Sequence, residues 1–189
     1  MSLVAVVLAA GASRRMGADK LWLPIEGKPI VVRVLDAVAD ATLDDWRVVV
    51  RDPAPFAGHV GEERLLVHPD PDQGMGSSLA IGAAWAAQNH PGAGLMVVLA
   101  DMPWLTAGDL DILVAAFGFA EGKDIVAPVT DGKRGHPVLF PADLVPELAV
   151  LTGDRGARDV IERNAVRVSE VRTPIEAFLR DVDEPADLA

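Results

Sequence analysis

The sequence predicts an α/β protein, a three-layer α/β/α, Rossmann-like mixed sheet that is mostly parallel. Three observations carry this. Short, largely apolar runs rich in Val recur at Leu3 to Leu8, Trp46 to Val50 and Leu95 to Ala100, as expected of strands buried on both faces. Segments with apolar residues at helical spacing separate them, and strands alternating with helices build parallel sheets. Thr130-Asp131-Gly132-Lys133 is a tight-turn sequence and predicts one antiparallel excursion.

The first run, Leu3 to Leu8, empties into small and cationic residues: Gly11, Ser13, Arg14, Arg15, Gly17 and Lys20. Small residues let backbone amides approach an anion, and the cations supply charge for a polyphosphate. Five residues separate Gly11 from Gly17, and Lys20 comes three later. Neither the Gly-x4-Gly-Lys-Ser/Thr loop nor the Gly-x-Gly-x-x-Gly fingerprint fits this spacing. The residues suit a triphosphate site of another kind, or an ordinary βα loop with surface cations.

A turn at residues 25 to 29 precedes a helix from Ile30 to Ala39. Trp46 to Val50 is the second strand, residues 52 to 63 a loop or short irregular helix, and Leu65 to Val67 a short strand. The stretch His68 to Ser78 joins turn residues to a helix running to Ala87, with Ser77 or Ser78 as its cap. A helix start preceded by Gly74-x-Gly76 is a second place where backbone donors can meet a ligand, although a capped helix accounts for the same serines.

The central strand to Ala100 stops at Asp101, and open α/β sheets bind ligands at the carboxyl ends of their strands. Thr106 and Asp109 already supply a capping box for the next helix, to about Ala120. Asp101 is thereby left for function. A strand begins at Asp124, and Arg134 to Phe140 returns as another, with Pro137 marking an edge or a bulge. His136 stands between Gly135 and Pro137. Pro141 to Leu148 and Asp159 to Arg163 are short helices, and Val166 to Val171 alternates as the last strand before a final helix. In the tail, Asp181 and Asp183 share one side of an extended segment, where either could join Asp101 around a hard cation or simply be solvated. Arg155 and Arg158 could clamp an anion or form an exposed charge cluster.

At 189 residues, half of them hydrophobic, the chain is long enough for one domain, residues 1–189, with a sizeable core. Its net charge of −11 disfavours nucleic acid and anionic membranes as partners. With no Cys there is no disulfide, thiolate metal site or Cys nucleophile. No signal peptide is evident and no apolar run suits a membrane span, so a soluble, cytoplasmic protein is expected.

Taken together, Leu8-Ala9-Ala10-Gly11-Ala12-Ser13-Arg14-Arg15-Met16-Gly17-x-x-Lys20-Leu21 resembles the signature loop of nucleotidyltransferases that complete the molybdenum cofactor. The resemblance continues through Gly74-Met75-Gly76-Ser77-Ser78-Leu79, Leu99-Ala100-Asp101-Met102-Pro103, Arg134-Gly135-His136-Pro137, Gly153-Asp154-Arg155-Gly156-Ala157-Arg158 and Asp181-Val182-Asp183-x-Pro185. These motifs span nearly the whole chain, which is similar both to molybdopterin-guanine dinucleotide synthases and, more closely, to the cytidylyltransferase branch.

The resemblance implies the nucleotide-diphospho-sugar transferase type of sheet and a Mg2+-dependent transfer of CMP from CTP, or GMP from GTP, to molybdopterin. It implies that Leu8, Ala9, Ala10, Gly11, Ser13, Arg15 and Lys20 hold the triphosphate, with Lys20, Arg15 and Asp101 catalytic. Asp70, Gly74 and Ser77 would contact base and ribose, and Asp101 with Asp183 would bind the metal. Arg134, His136, Asp154 and Arg158 would face the acceptor. Guanylyltransferase relatives tend to carry Gly-Gly where Ala9-Ala10 stands, which favours CTP. His68, Pro69 and Pro71 replace the usual Asn-Pro-aromatic, which bears on base recognition, and Glu184 replaces a Thr. A related sugar-1-phosphate nucleotidyltransferase and a non-catalytic accessory protein for a molybdenum hydroxylase are the other readings.

Overall fold

The structure is a computed structural model and describes residues 1–11, 20–183 and 187. The elements in chain order are β1 (Leu3–Ala9), a small hairpin of β2 (Pro24–Ile25) and β3 (Lys28–Pro29), α1 (Ile30–Asp40), β4 (Asp45–Val50), β5 (Leu65–Val67), α2 (Met75–Asn89), β6 (Gly94–Leu99) and α3 (Ala107–Phe119). Then come β7 (Ile125–Thr130), β8 (Lys133–Arg134), β9 (Val138–Phe140), α4 (Val145–Leu148), α5 (Arg158–Arg163) and β10 (Val168–Arg172).

β2 and β3 pair apart, and the other strands form one sheet in the order β10-β7-β9-β6-β1-β4-β5, with β8 paired to β7. β1 pairs in parallel with β4 and β6, β4 with β5, and β7 with β10. β9 runs antiparallel to both β6 and β7, as the turn at residues 131–132 predicts. Asp131 and Gly132 both take positive φ there, 50° and 76°, the backbone of a tight hairpin turn.

Alternation along β1 divides the core into two layers. Leu3, Ala5, Val7 and Ala9 pack with Ile30, Val34 and Leu35 of α1 and Leu110, Leu113 and Phe117 of α3. Val4 and Val6 pack with Leu79, Ala83 and Ala86 of α2, Leu148 of α4 and Val160 of α5. Gly82 lets α2 lie close against the sheet, since a Cβ there would stand 2.8 Å from Val6 Cγ1. Each large apolar side chain so buried contributes about 1.5–3 kcal/mol.

Three expectations are corrected. Ser77 and Ser78 do not cap α2: the helix begins earlier, its N-cap is Gly74, and both serines lie buried inside it. Pro137 marks no edge, because β9 lies between β6 and β7; the Arg134 to Phe140 run instead breaks into two short strands around it. The final helix after β10 is reduced to a single 3-10 turn, Glu176–Phe178. The backbone of that segment bonds outward instead: Thr173 N–H donates to Val129 O, and Phe178 O accepts from His136 N–H. No helix among the described residues is long and apolar enough to cross a membrane.

Candidate active site

Parallel strands deliver their carboxyl ends to one edge of the sheet, so Ala10 and Gly11 after β1, His68 after β5 and Asp101 after β6 emerge together. The antiparallel β9 adds to this edge from the other direction. Its register sets Val138 opposite Val97, so His136, two residues before, comes level with the end of β6. Ser13 and Arg15 lie outside the described residues.

Lys20 reaches into this edge. Its ammonium donates to Asp101 Oδ2 at 2.9 Å, Asp183 Oδ1 at 3.0 Å and Val182 O at 2.7 Å. Loss of water works against the charge, but bonding to Asp101 and Asp183 outweighs it and holds the Lys20 pKa above its usual value. The tail is pinned there by Val182, which is fully buried and donates its N–H to Asp101 O at 2.9 Å. Asp181 and Asp183, flanking it, turn to the same side, as their spacing predicts. One carboxylate oxygen from each of Asp101, Asp181 and Asp183 lies within 4.8 Å of the others. Loss of water, then the neighbouring charges of Asp183 and Asp101, hold the Asp181 carboxyl above its usual range.

These residues fit a hard divalent cation. The donors are carboxylate oxygens, the ligands that Mg2+ and Mn2+ prefer. Asp101 Oδ1 is buried with no hydrogen-bond partner, an acceptor whose burial is otherwise unfavourable.

Gly135 explains how the tail comes so close. A Cβ on it would stand 2.0 Å from Phe178 O, and the adjacent His136 N–H donates to that same carbonyl at 2.9 Å. The segment leading to Asp181 therefore runs directly over residues 135–136. Sequence reasoning missed this role of Gly135, since its partner lies far along the chain.

Beside the carboxylates opens a cavity of about 480 Å³. Arg134, His136, Asp154 and Arg158, the whole expected acceptor set, line it together with Arg155. Leu8, expected on the nucleotide side, lines this cavity too, with Leu79, Val97 and Phe140 completing an apolar wall. His136 joins the two halves: it lines the cavity and feels the charge of Asp101, although burial lowers its pKa overall. Its Nδ1 is buried without a partner.

The nucleotide-side residues after β5 are held by an internal network. Asp70 N–H donates to His68 Nδ1 at 3.1 Å, which leaves the proton of the neutral ring on Nε2. Nε2 lies 2.8 Å from Ser77 Oγ, and that hydroxyl donates to Gly74 O at 2.7 Å. Ser77 is thus held in place by this network. Gly74 takes φ +96° and packs on the Gly153 backbone and the Asp154 side chain, where a Cβ would meet Gly153 C at 2.6 Å. Gly76 N–H donates to Gly153 O at 2.7 Å. Asp70 remains exposed at the tip, its carboxylate accepting from Gln73 at 3.0 Å. Ala9 and Ala10 are buried and Gly11 is exposed.

This architecture is shared with known proteins. The MobA-like NTP transferase domain matches residues 5–168. Purine catabolism protein PucB of Bacillus subtilis (strain 168) is 30% identical over 198 residues, covering 98% of this chain and 93% of that protein. A molybdenum cofactor guanylyltransferase of Rhodopseudomonas palustris (strain BisB5) is 35% identical over 196 residues, covering 98% and 90%. The crystal structure of Rv0371c from Mycobacterium tuberculosis H37Rv superposes with a TM-score of 0.83 at 27% identity, covering 98% of this chain and 94% of that one. Rv0371c in complex with manganese gives a TM-score of 0.76 at 25% identity, covering 99% and 96%. The fold is that of the nucleotide-diphospho-sugar transferases. With the domain running from β1 to the start of β10, and with Ala10, Gly11, Lys20 and Asp101 gathered at one sheet edge, this protein is a nucleotidyltransferase of the MobA-like NTP transferase family.

Proposed function

We propose that the protein transfers CMP from CTP to molybdopterin and releases pyrophosphate, with Mg2+ as its cation. The observation that carries this reading is the adjacency of the Asp101–Asp183 carboxylates to the arginine-lined cavity, with His136 between them. A phosphate oxygen of the acceptor attacks the α-phosphorus of CTP. A new P–O bond forms as the α–β P–O bond breaks, and the electron pair leaves with pyrophosphate. The attacking oxygen is already ionised, so no general base is needed, and catalysis reduces to alignment and charge neutralisation.

In this reading the backbone from Ala9 to Gly11, with Ser13, Arg15 and Lys20, holds the triphosphate, while Asp70 and Gly74 shape the base and ribose side. Arg134, Arg158 and His136 orient the acceptor's phosphate, Asp154 holds its polar edge, and the Leu8–Phe140 wall takes its ring system. Asp101 and Asp183 would hold the cation, whose chemistry is to neutralise charge on the α-phosphate and the leaving group. Manganese bound to the related Rv0371c supports a divalent ion. The product would then pass to a recipient molybdenum hydroxylase.

GTP is the second reading, favoured by the guanylyltransferase name of the Rhodopseudomonas relative. Against it stand Ala9 and Ala10. Both are buried, and where guanylyltransferase relatives tend to carry Gly-Gly an extra methyl beside the base would crowd a purine. Pyrophosphate release measured in parallel with CTP and GTP, with Mg2+ and molybdopterin, tests this. CTP is expected to be the better substrate, and equal or faster release from GTP would reject the reading.

A further inference from the structure

The Lys20 ammonium donates to two of the three carboxylates that would hold a metal, Asp101 and Asp183, and to the Val182 carbonyl between Asp181 and Asp183. It sits among the oxygens a divalent cation would need. We propose that Lys20 is the resident cation of this carboxylate cage and must be drawn off by a nucleotide's phosphates before a divalent metal can enter. The inference rests on the metal-site reading above and adds an order of events to it.

Charge and geometry both argue for exchange. Three carboxylates with one ammonium leave the cage at −2, and without the ammonium it stands at −3. An ammonium 2.9–3.0 Å from the oxygens blocks ligation by direct occupancy and would repel a dication held by the same carboxylates. A lysine is suited to the exchange, being a point charge on a flexible four-carbon stem. Its neighbour Leu21 is buried in the core, so the backbone stays anchored while the Nζ can move. A triphosphate offers the ammonium other anionic oxygens. Nucleotide and metal would thereby bind with positive coupling, reciprocal by linkage. The arrangement also keeps the tail docked when no metal is present, because Lys20 itself ties Asp183 to Asp101.

The test is Mn2+ binding in the absence of any nucleotide, followed by the paramagnetic resonance of free Mn2+. Wild type, Lys20→Met, Asp101→Asn and the double variant are compared, with circular dichroism as the check on folding. Lys20→Met is expected to bind Mn2+ at least about tenfold more tightly than wild type, the loss of one opposing charge, and Asp101→Asn to cancel that gain. Mn2+ should also raise the thermal midpoint of Lys20→Met more than that of wild type. Lys20→Gln keeps most of the length and a hydrogen bond without the charge, and carries the same expectation should Lys20→Met fold poorly. Equal or weaker Mn2+ binding by both Lys20 variants, with Asp101→Asn still weakening it in each, overturns the exchange and leaves the metal site standing. A gain that survives Asp101→Asn overturns both, since the metal then binds elsewhere.

Discussion

His68 Nε2 lies 2.8 Å from Ser77 Oγ, and this contact ties the end of β5 to the first turn of α2. The ring is 4% exposed and both of its nitrogens are used, Nδ1 by the Asp70 amide and Nε2 by Ser77. The loop carrying Asp70 to Gly74 is therefore clasped from inside by a neutral imidazole. His68 is thus a structural strut.

A dependence of stability on pH follows. Burial, helped by the Arg51 charge and opposed by Asp70, holds the His68 pKa below its usual value of 6.5. The unfolded chain then takes up a proton that the folded chain refuses, so the His68 contribution is fully present above about pH 6.5 and is lost as pH falls below it. Protonated Nδ1 would also point an N–H at the Asp70 amide. The thermal midpoint of wild type should fall more steeply between pH 7 and pH 5 than that of His68→Asn. Parallel curves would show that His68 is not a buried neutral group.

Gly135→Ala is expected to be among the most damaging single-methyl substitutions. The added Cβ would lie 2.0 Å from a backbone oxygen, Phe178 O, which cannot swing aside as a side chain can. Either the 176–179 turn lifts off or residues 135–136 shift, and a loss of at least about 2 kcal/mol is expected. Because that segment carries Asp181 and Asp183 to the site, cation affinity should fall alongside the denaturation midpoint. A variant as stable as wild type would mean the tail is not held there.

What the sequence made legible was whatever depends on near neighbours. The apolar runs of β1 and β6 read directly as strands buried on both faces. Thr106 and Asp109 read directly as the capping box that the structure shows, which freed Asp101 for another role. Asp181 and Asp183 turned to one side because a period of two is intrinsic to extended backbone. The misses depend on distant partners. Ser77 follows Gly74-Met75-Gly76 and looks like a cap, yet the helix begins before it and its hydroxyl is held by Gly74 O and by His68 after β5. The contacts that Lys20 makes with Asp101 and Asp183 were likewise out of view, because those partners are 81 and 163 residues away. A final helix is expected after the last strand, but that segment keeps only one 3-10 turn and bonds otherwise to Val129 and His136.

Arg158→Ala should separate the two substrates. Arg158 lines the cavity with Arg134 and His136 and is exposed at the start of α5, so its removal disturbs little packing. Loss of one charged hydrogen bond to an anionic acceptor, about 1.5–3 kcal/mol, predicts a rise of roughly tenfold or more in the acceptor KM. The nucleotide KM should be unchanged. A change confined to the nucleotide KM would assign the cavity to the wrong substrate.

Asp101→Asn is expected to abolish turnover while leaving the fold intact. Its backbone carbonyl, which accepts from Val182 N–H, is untouched by the substitution, and its side chain is 22% exposed rather than part of the apolar core. What changes is one carboxylate charge opposite Lys20 and Asp183. An amide oxygen is a weaker ligand for a hard cation, and the transferring phosphoryl group would lose charge stabilisation. Removing a single such group elsewhere lowers kcat by about 10²–10³. Pyrophosphate release should fall by at least that factor at saturating CTP, acceptor and Mg2+, with an unchanged circular dichroism spectrum. Near-normal release from the folded variant would remove Asp101 from the reaction and leave its buried, unpartnered oxygen without a function.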